Sequence, residues 1–128
     1  MALETLSYKT DSDVVHQELP DRQSRTEIVV ASGAAAIMEI GTVLGMVTAS
    51  GKYEALQVAA SDGPQVASAI LLEKVDAQAA DVSAVALTRI ATVVAQALIW
   101  PAGISAGEKA TALSQLLVSQ QIVSRNGV

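Results

Sequence analysis

Gly41-Thr42-Val43-Leu44-Gly45-Met46-Val47-Thr48, with Ser50-Gly51-Lys52 close behind, is the stretch that decides the fold class. Val and Thr are stiff at χ1 and pack well on a pleated surface, and Gly and Ser-Gly bound the run on its two sides. The pattern predicts a short strand from Thr42 to Thr48 that ends in a tight turn.

Working outward, Glu27 to Ala31 is rich in β-branched residues and stops at Ser32-Gly33, which predicts another strand. Tyr53 to Ala59 reads as an irregular segment. Ser61-Asp62-Gly63-Pro64 is a loop, because Gly permits positive φ and Pro removes a ladder donor. Val66 to Val75 is expected as a further strand. In Val82 to Trp100, Ala and Leu favour helix while Val, Ile and Thr favour strand; the run is read as two strands, Ala84 to Ile90 and Val93 to Trp100, ended by Pro101.

One helix is signalled. Ser105-Ala106-Gly107-Glu108 is a capping box, in which the Ser hydroxyl and the Glu carboxylate each accept a backbone amide of the first turn. Ala106, Ala110, Leu113 and Leu117 follow at helical spacing and predict one apolar face, with the helix ending near Val118 to Gln120. Gln121 to Ser124 reads as a final extended piece. The fold class expected is α+β, mainly β, with one short helix in the C-terminal region.

At 128 residues the chain has room for one core. Its composition changes near Glu27. Met1 to Thr26 is polar and acidic and shows no sustained period, which predicts an extended N-terminal arm over 1–26 and a β-rich domain over 27–128. Such an arm lacks the apolar content to fold alone and needs a partner. An extended segment can satisfy its backbone along a partner's sheet edge, with Tyr8, Val14, Val15 and Leu19 as candidate apolar contacts and His16 as a polar one.

Hydrophobic residues make up 51% of the chain but aromatics only 2%, so the apolar content is mostly Ala and Val and a monomeric core would be weak. Subunit contacts can supply the missing burial, which favours an oligomer. The lone Trp100, beside Pro101, reads either as a core anchor or as an interface anchor.

The net charge of −5, with no Lys/Arg cluster, argues against nucleic acid as a partner. The absence of cysteine removes thiolate nucleophiles and soft metal sites and fits a reducing cytoplasm. No signal peptide opens the chain, and Arg89 and Gln96 interrupt the most apolar run, so a membrane span is not expected.

Chemistry-bearing sets are scarce. The single histidine, His16, lies in the polar arm, where the rigid geometry of a Ser-His-acid site is not expected. Asp11 and Asp13 form only a fragment of a hard-cation site. Gly41 and Gly45 lack the GK[ST] ending of a phosphate loop. Glu108 and Lys109 are accounted for by capping and solvation. No catalytic residue, metal or cofactor is expected.

Several stretches resemble the phage-lambda-type head decoration protein family when taken in order. They are Ala31-Ser32-Gly33, Gly41 to Thr48, Ser50-Gly51-Lys52-Tyr53, Ala59-Ala60-Ser61-Asp62-Gly63, Val66 to Glu73, and Leu98-Ile99-Trp100-Pro101-Ala102-Gly103-Ile104 with its Lys/Ala-rich helix. The similarity spans roughly 24–117. It departs at Glu54-Ala55-Leu56-Gln57, where members have an aromatic-Asn-Pro-like element, and around His16 to Arg22.

The resemblance implies a β-clip-like domain that forms homotrimers. These trimers are expected at local three-fold positions outside the expanded phage head, with their arms against the major capsid protein. They would reinforce the shell against packaged DNA. It implies a virion protein made in the host bacterial cytoplasm. The alternative is a cytoplasmic oligomeric β-rich module that binds a small molecule in a pocket of convergent polar groups.

Overall fold

The computed structural model describes residues 9–126. After a 3₁₀ turn at Asp11–Asp13 come β1 (Val15–Glu18), a second turn at Pro20–Arg22, β2 (Arg25–Val30), β3 (Val43–Met46), β4 (Tyr53–Ala55), β5 (Ala69–Leu71), β6 (Val82–Leu87) and β7 (Ala91–Val94). A 3₁₀ turn at Ala95–Ala97 leads on to α1 (Ala106–Gln115), a wide helical turn at Leu116–Gln120 and β8 (Ile122–Arg125). The protein is mainly β with one short helix, as the sequence pattern implies.

Five strands close a barrel in the order β2-β4-β3-β5-β6. The longest pairing is antiparallel, β2 on β6, running from Arg25 opposite Leu87 to Val30 opposite Val82. In β2, Ile28 and Val30 point inward and Glu27 and Val29 outward, the alternation that a half-buried strand requires. Closure is by a parallel contact of Val30 with Tyr53, where the Ala31 amide donates to the Tyr53 carbonyl at 2.9 Å.

β3 crosses the barrel close to the Ser61–Pro64 loop, and Gly45 is the reason it can. A Cβ there would lie 2.6 Å from both Cα and O of Pro64, so only glycine allows this approach of two backbones.

The remaining strands form a second, three-stranded sheet in the order β1-β7-β8. β1 runs antiparallel to β7 with a bulge between Val15 and Gln17, and β8 runs parallel to β7. Two hydrophobic clusters result. One fills the barrel around Val30, Leu44 and Leu71. The other lies between the second sheet, α1 and the barrel, around Val14, Val43, Ile70, Val93, Leu116 and Ile122. A fully buried Val or Leu stabilises by about 1.5–3 kcal/mol, and the buried residues of both clusters are non-aromatic, with Trp100 and Tyr53 packed against their edges.

Several boundaries differ from the sequence expectation. The strand expected over Val66–Val75 is reduced to β5, because Val66 is held in a turn by the hydrogen bond its amide donates to the Gly63 carbonyl. The strand expected over Ala84–Ile90 ends at Leu87, and Ile90 has φ of 34°, a turn conformation rarely taken by a β-branched residue. Beyond β7 the chain coils at Ala95–Ala97 instead of continuing to Trp100.

The helix also turns a different face inward. Ala112 and Leu116 are buried, with Leu113 packed against the cluster, whereas Leu117 is exposed. Ala and Leu occur on several sides of this helix, so their spacing defines its face poorly.

The largest departure is at the N-terminus. The segment expected as an arm over 1–26 is packed from Lys9 onward, with Val14 fully buried and β1 paired to β7. A four-residue strand, Val-His-Gln-Glu, is too short and too polar to leave a readable period.

Candidate interaction surfaces

The N-terminal segment is fastened at a series of points. Lys9 Nζ donates to the Ala97 carbonyl at 2.5 Å, and the Thr10 amide donates to Asp13 Oδ2 at 2.8 Å. Gly41 makes room for the first of these, since its φ is +100° and a Cβ would meet Ala97 O at 2.5 Å and Lys9 Nζ at 2.9 Å. Val14 fills the core while its carbonyl accepts from the Val94 amide at 2.8 Å. Farther along, the Leu19 amide donates to Ser24 Oγ at 3.0 Å, and that hydroxyl donates to the Ile90 carbonyl at 2.7 Å.

Arg25 ties these points to the barrel. Its Nε and Nη2 donate to the Glu18 carboxylate, at 3.0 and 2.7 Å for the shortest contacts, while Nη1 donates to Asp11 Oδ2 at 2.8 Å. Only 14% of the Arg25 side chain is exposed. The arrangement raises the guanidinium pKa, chiefly through the Glu18 hydrogen bonds, and lowers that of the Asp11 carboxyl, chiefly through its bond to Arg25. Lys9 is shifted down by burial, against the opposing fields of Asp13 and Glu39.

A second feature is a groove of about 550 Å³. Its walls include the Ala34-Ala35-Ala36-Ile37-Met38 segment and the Ile99-Trp100-Pro101-Ala102 segment. The polar residues along it are engaged with neighbours. Thr42 Oγ1 donates to the Glu39 carbonyl at 2.7 Å, Gln57 Nε2 donates to Glu54 Oε1 at 3.1 Å, and Glu39 faces Lys74 at 3.6 Å. Past Ser32, Asp81 accepts from the Ser32 amide at 2.8 Å and from Lys52 Nζ at 2.6 Å, and these contacts lower its pKa.

The residues singled out from sequence are distributed unevenly. Tyr8 lies outside the described residues. Val14 is in the core and offers no surface, Val15 and Leu19 are half-buried, and His16 is exposed. Trp100 and Pro101 stand together on the groove, half-buried, with Trp100 also packed against the core. Arg25, Asp11 and Glu18 were missed as a unit, because three charges at positions 11, 18 and 25 have no local spacing that announces a contact. Among the described residues no group of three His, Cys, Asp or Glu side chains could hold a metal ion. Among them also, no helix is long and apolar enough to cross a membrane.

Fold and surfaces together define a small, mainly β protein with an anchored N-terminal segment and an apolar groove. The chain belongs to the bacteriophage lambda head decoration protein D family, whose family model matches residues 6–122. A search of curated proteins gives no match. Membership makes this a phage capsid decoration protein and places it in the virion.

Proposed function

We propose that the protein assembles as homotrimers at local three-fold positions on the outside of the expanded phage head and stabilises the shell against the pressure of packaged DNA. The family match over residues 6–122 carries this reading. Its action is structural, with the major capsid protein as partner, and it is made in the host bacterial cytoplasm. The chain segment preceding Lys9, including Tyr8, makes the shell contact together with Val15, His16 and Leu19, while Val14 holds the segment's base in the core. Trp100 and Pro101, half-buried on an apolar groove, form part of the subunit interface.

The groove's volume falls in the range of small-ligand sites, roughly 300–1,000 Å³. However, its polar groups are partnered with one another, and an apolar trough of alanines with one Trp suits a protein surface better than an oriented small molecule. The test is sedimentation with heads. The purified protein should pellet with expanded heads and not with unexpanded ones, and should sediment as a trimer at capsid-relevant concentration. A stable monomer, or equal binding to both head forms, would contradict the reading.

A further inference from the structure

We infer that the outward face of α1, with the wide turn that continues it, is the second half of the subunit interface and packs into the Trp100 groove of a neighbouring copy of the chain. This rests on the proposed trimer and adds to it the surface that meets the groove.

The charges of α1 are not where a water-facing helix has them. From Ala106 to Val118 the exposed positions are Ala, Gly, Thr, Ser, Leu and Val only, and they lie on one side of the helix, opposite the buried Ala112 and Leu116. An outward helix face in water ordinarily bears charged side chains. Here the two charges of α1, Glu108 and Lys109, are half-buried on its flanks instead. The uncharged face ends in Leu117 and Val118, 50% and 77% exposed. Covering such a face in an assembly removes apolar surface from water without desolvating a charge.

A second copy is the partner that fits. A ring closed by three-fold rotation needs two different patches on every subunit, one meeting the other around the ring. The groove and the helix face share no residue, so one chain can offer both at once. Their shapes are opposite: the groove is concave and walled by Ala34, Ala35 and Ala36, while the helix is convex and its short side chains let it come close. Their charges are opposite as well. The charged residues lining the groove are Glu39 and Glu54, and Lys109 takes part in none of the ion pairs among the described residues. Complementary charges of this kind fix partner and register.

The test places a charge on the face. Ala110→Glu and Ala110→Lys put opposite charges at an exposed helix position that tolerates either residue, and Ala80→Glu adds the first of these charges in an exposed loop. Sedimentation velocity over a dilution series reads the concentration at which each trimer dissociates. Ala110→Glu should raise it about tenfold or more over Ala80→Glu, and Ala110→Lys should raise it less, because carboxylates line the groove. Far-UV circular dichroism of the diluted monomers should match the parent. The chain has no cysteine, so Val118→Cys and Ala36→Cys proteins can be mixed as monomers, reassembled and joined by a flexible bismaleimide. This reads the same contact with no added charge, and the product should link position 118 of one copy to position 36 of another.

Equal dissociation of Ala110→Glu and Ala80→Glu would overturn the inference while leaving the proposed trimer standing. So would an Ala110→Glu protein that stays trimeric but no longer binds expanded heads, since the face would then belong to the shell. Equal effects of Ala110→Glu and Ala110→Lys, or linkage of Val118→Cys only to itself, would overturn the assignment to the groove. A parent protein that is monomeric at every concentration would overturn the trimer itself, and the interface with it.

Discussion

The Arg25 guanidinium meets the Glu18 carboxylate side on, with Nε 3.0 Å from Oε2 and Nη2 2.7 Å from Oε1, so that the first residue of β2 holds the last residue of β1. Bidentate pairs of this kind are the strongest of the charge-assisted hydrogen bonds. Replacing Arg25 by Ala leaves two carboxylates without their donor. The expected cost is about 1–3 kcal/mol, below that of a fully buried pair because the site is partly open to water. Urea unfolding of Arg25→Ala against the parent protein measures it.

The same site has a pH signature. Asp11 is bound in its charged form, so its folded pKa lies below the ordinary value. Its contribution is therefore complete above the unfolded pKa of roughly 3.9 and is lost as pH falls through the folded value. Melting temperature should drop on acidification below about pH 4, and Asp11→Asn should flatten part of that drop. An identical acid profile in the variant would show that Asp11 takes no part.

Val14 and His16 are two residues apart and should respond oppositely. Val14 is fully buried, so Val14→Ala removes two methyl groups from a packed core at about 1–3 kcal/mol. His16 is exposed, and His16→Ala should stay within roughly 0.5 kcal/mol of the parent. Thermal melts of the pair discriminate a packed segment from a loose one. By the same reasoning, a chain beginning near Ser24 would lose β1 and Val14 and should fold poorly.

Gly45→Ala should be among the most damaging small changes. The added methyl would sit 2.6 Å from backbone atoms of Pro64, which cannot swing aside as a side chain can. Strain of this kind costs on the order of 1–3 kcal/mol, and the Ser61–Pro64 loop should show faster amide exchange.

Ser105 accepts from the Glu108 amide at 3.1 Å, and Glu108 accepts from the Ser105 amide at 2.9 Å. Ser105→Ala should lower stability by about 0.5–2 kcal/mol without affecting attachment to heads. An unchanged melting temperature would show that the cap is dispensable.

Trp100 is the one tryptophan, which makes its fluorescence a direct report on the groove. On the proposed trimer interface, dilution through the dissociation range should shift its emission to longer wavelength as the indole meets water. Trp100→Ala should move the protein toward monomer in sedimentation velocity. Emission independent of concentration would place Trp100 away from the interface.

Much of this was legible in the residues themselves. The β-rich class follows from Thr42–Thr48 and Glu27–Ala31, and the helix start from the Ser105–Glu108 box, because turn chemistry and capping act over a few neighbouring residues. The family resemblance was carried by the order of such pieces, and the family match agrees with it.

Tertiary structure alone decided the rest. The β-branched residues of Glu27–Ala31 announce a strand, but not that its partner is Val82–Leu87. Strand pairing is specified by where side chains from remote segments fit. The helix face was settled by which side chains, Ala112 and Leu116, met the second sheet. Most of all, nothing local distinguishes the buried Val14 from the half-buried Val15 beside it. It is buried because β7 offers an edge to β1 and because Arg25 closes on Asp11 and Glu18, contacts that exist only once the barrel has formed.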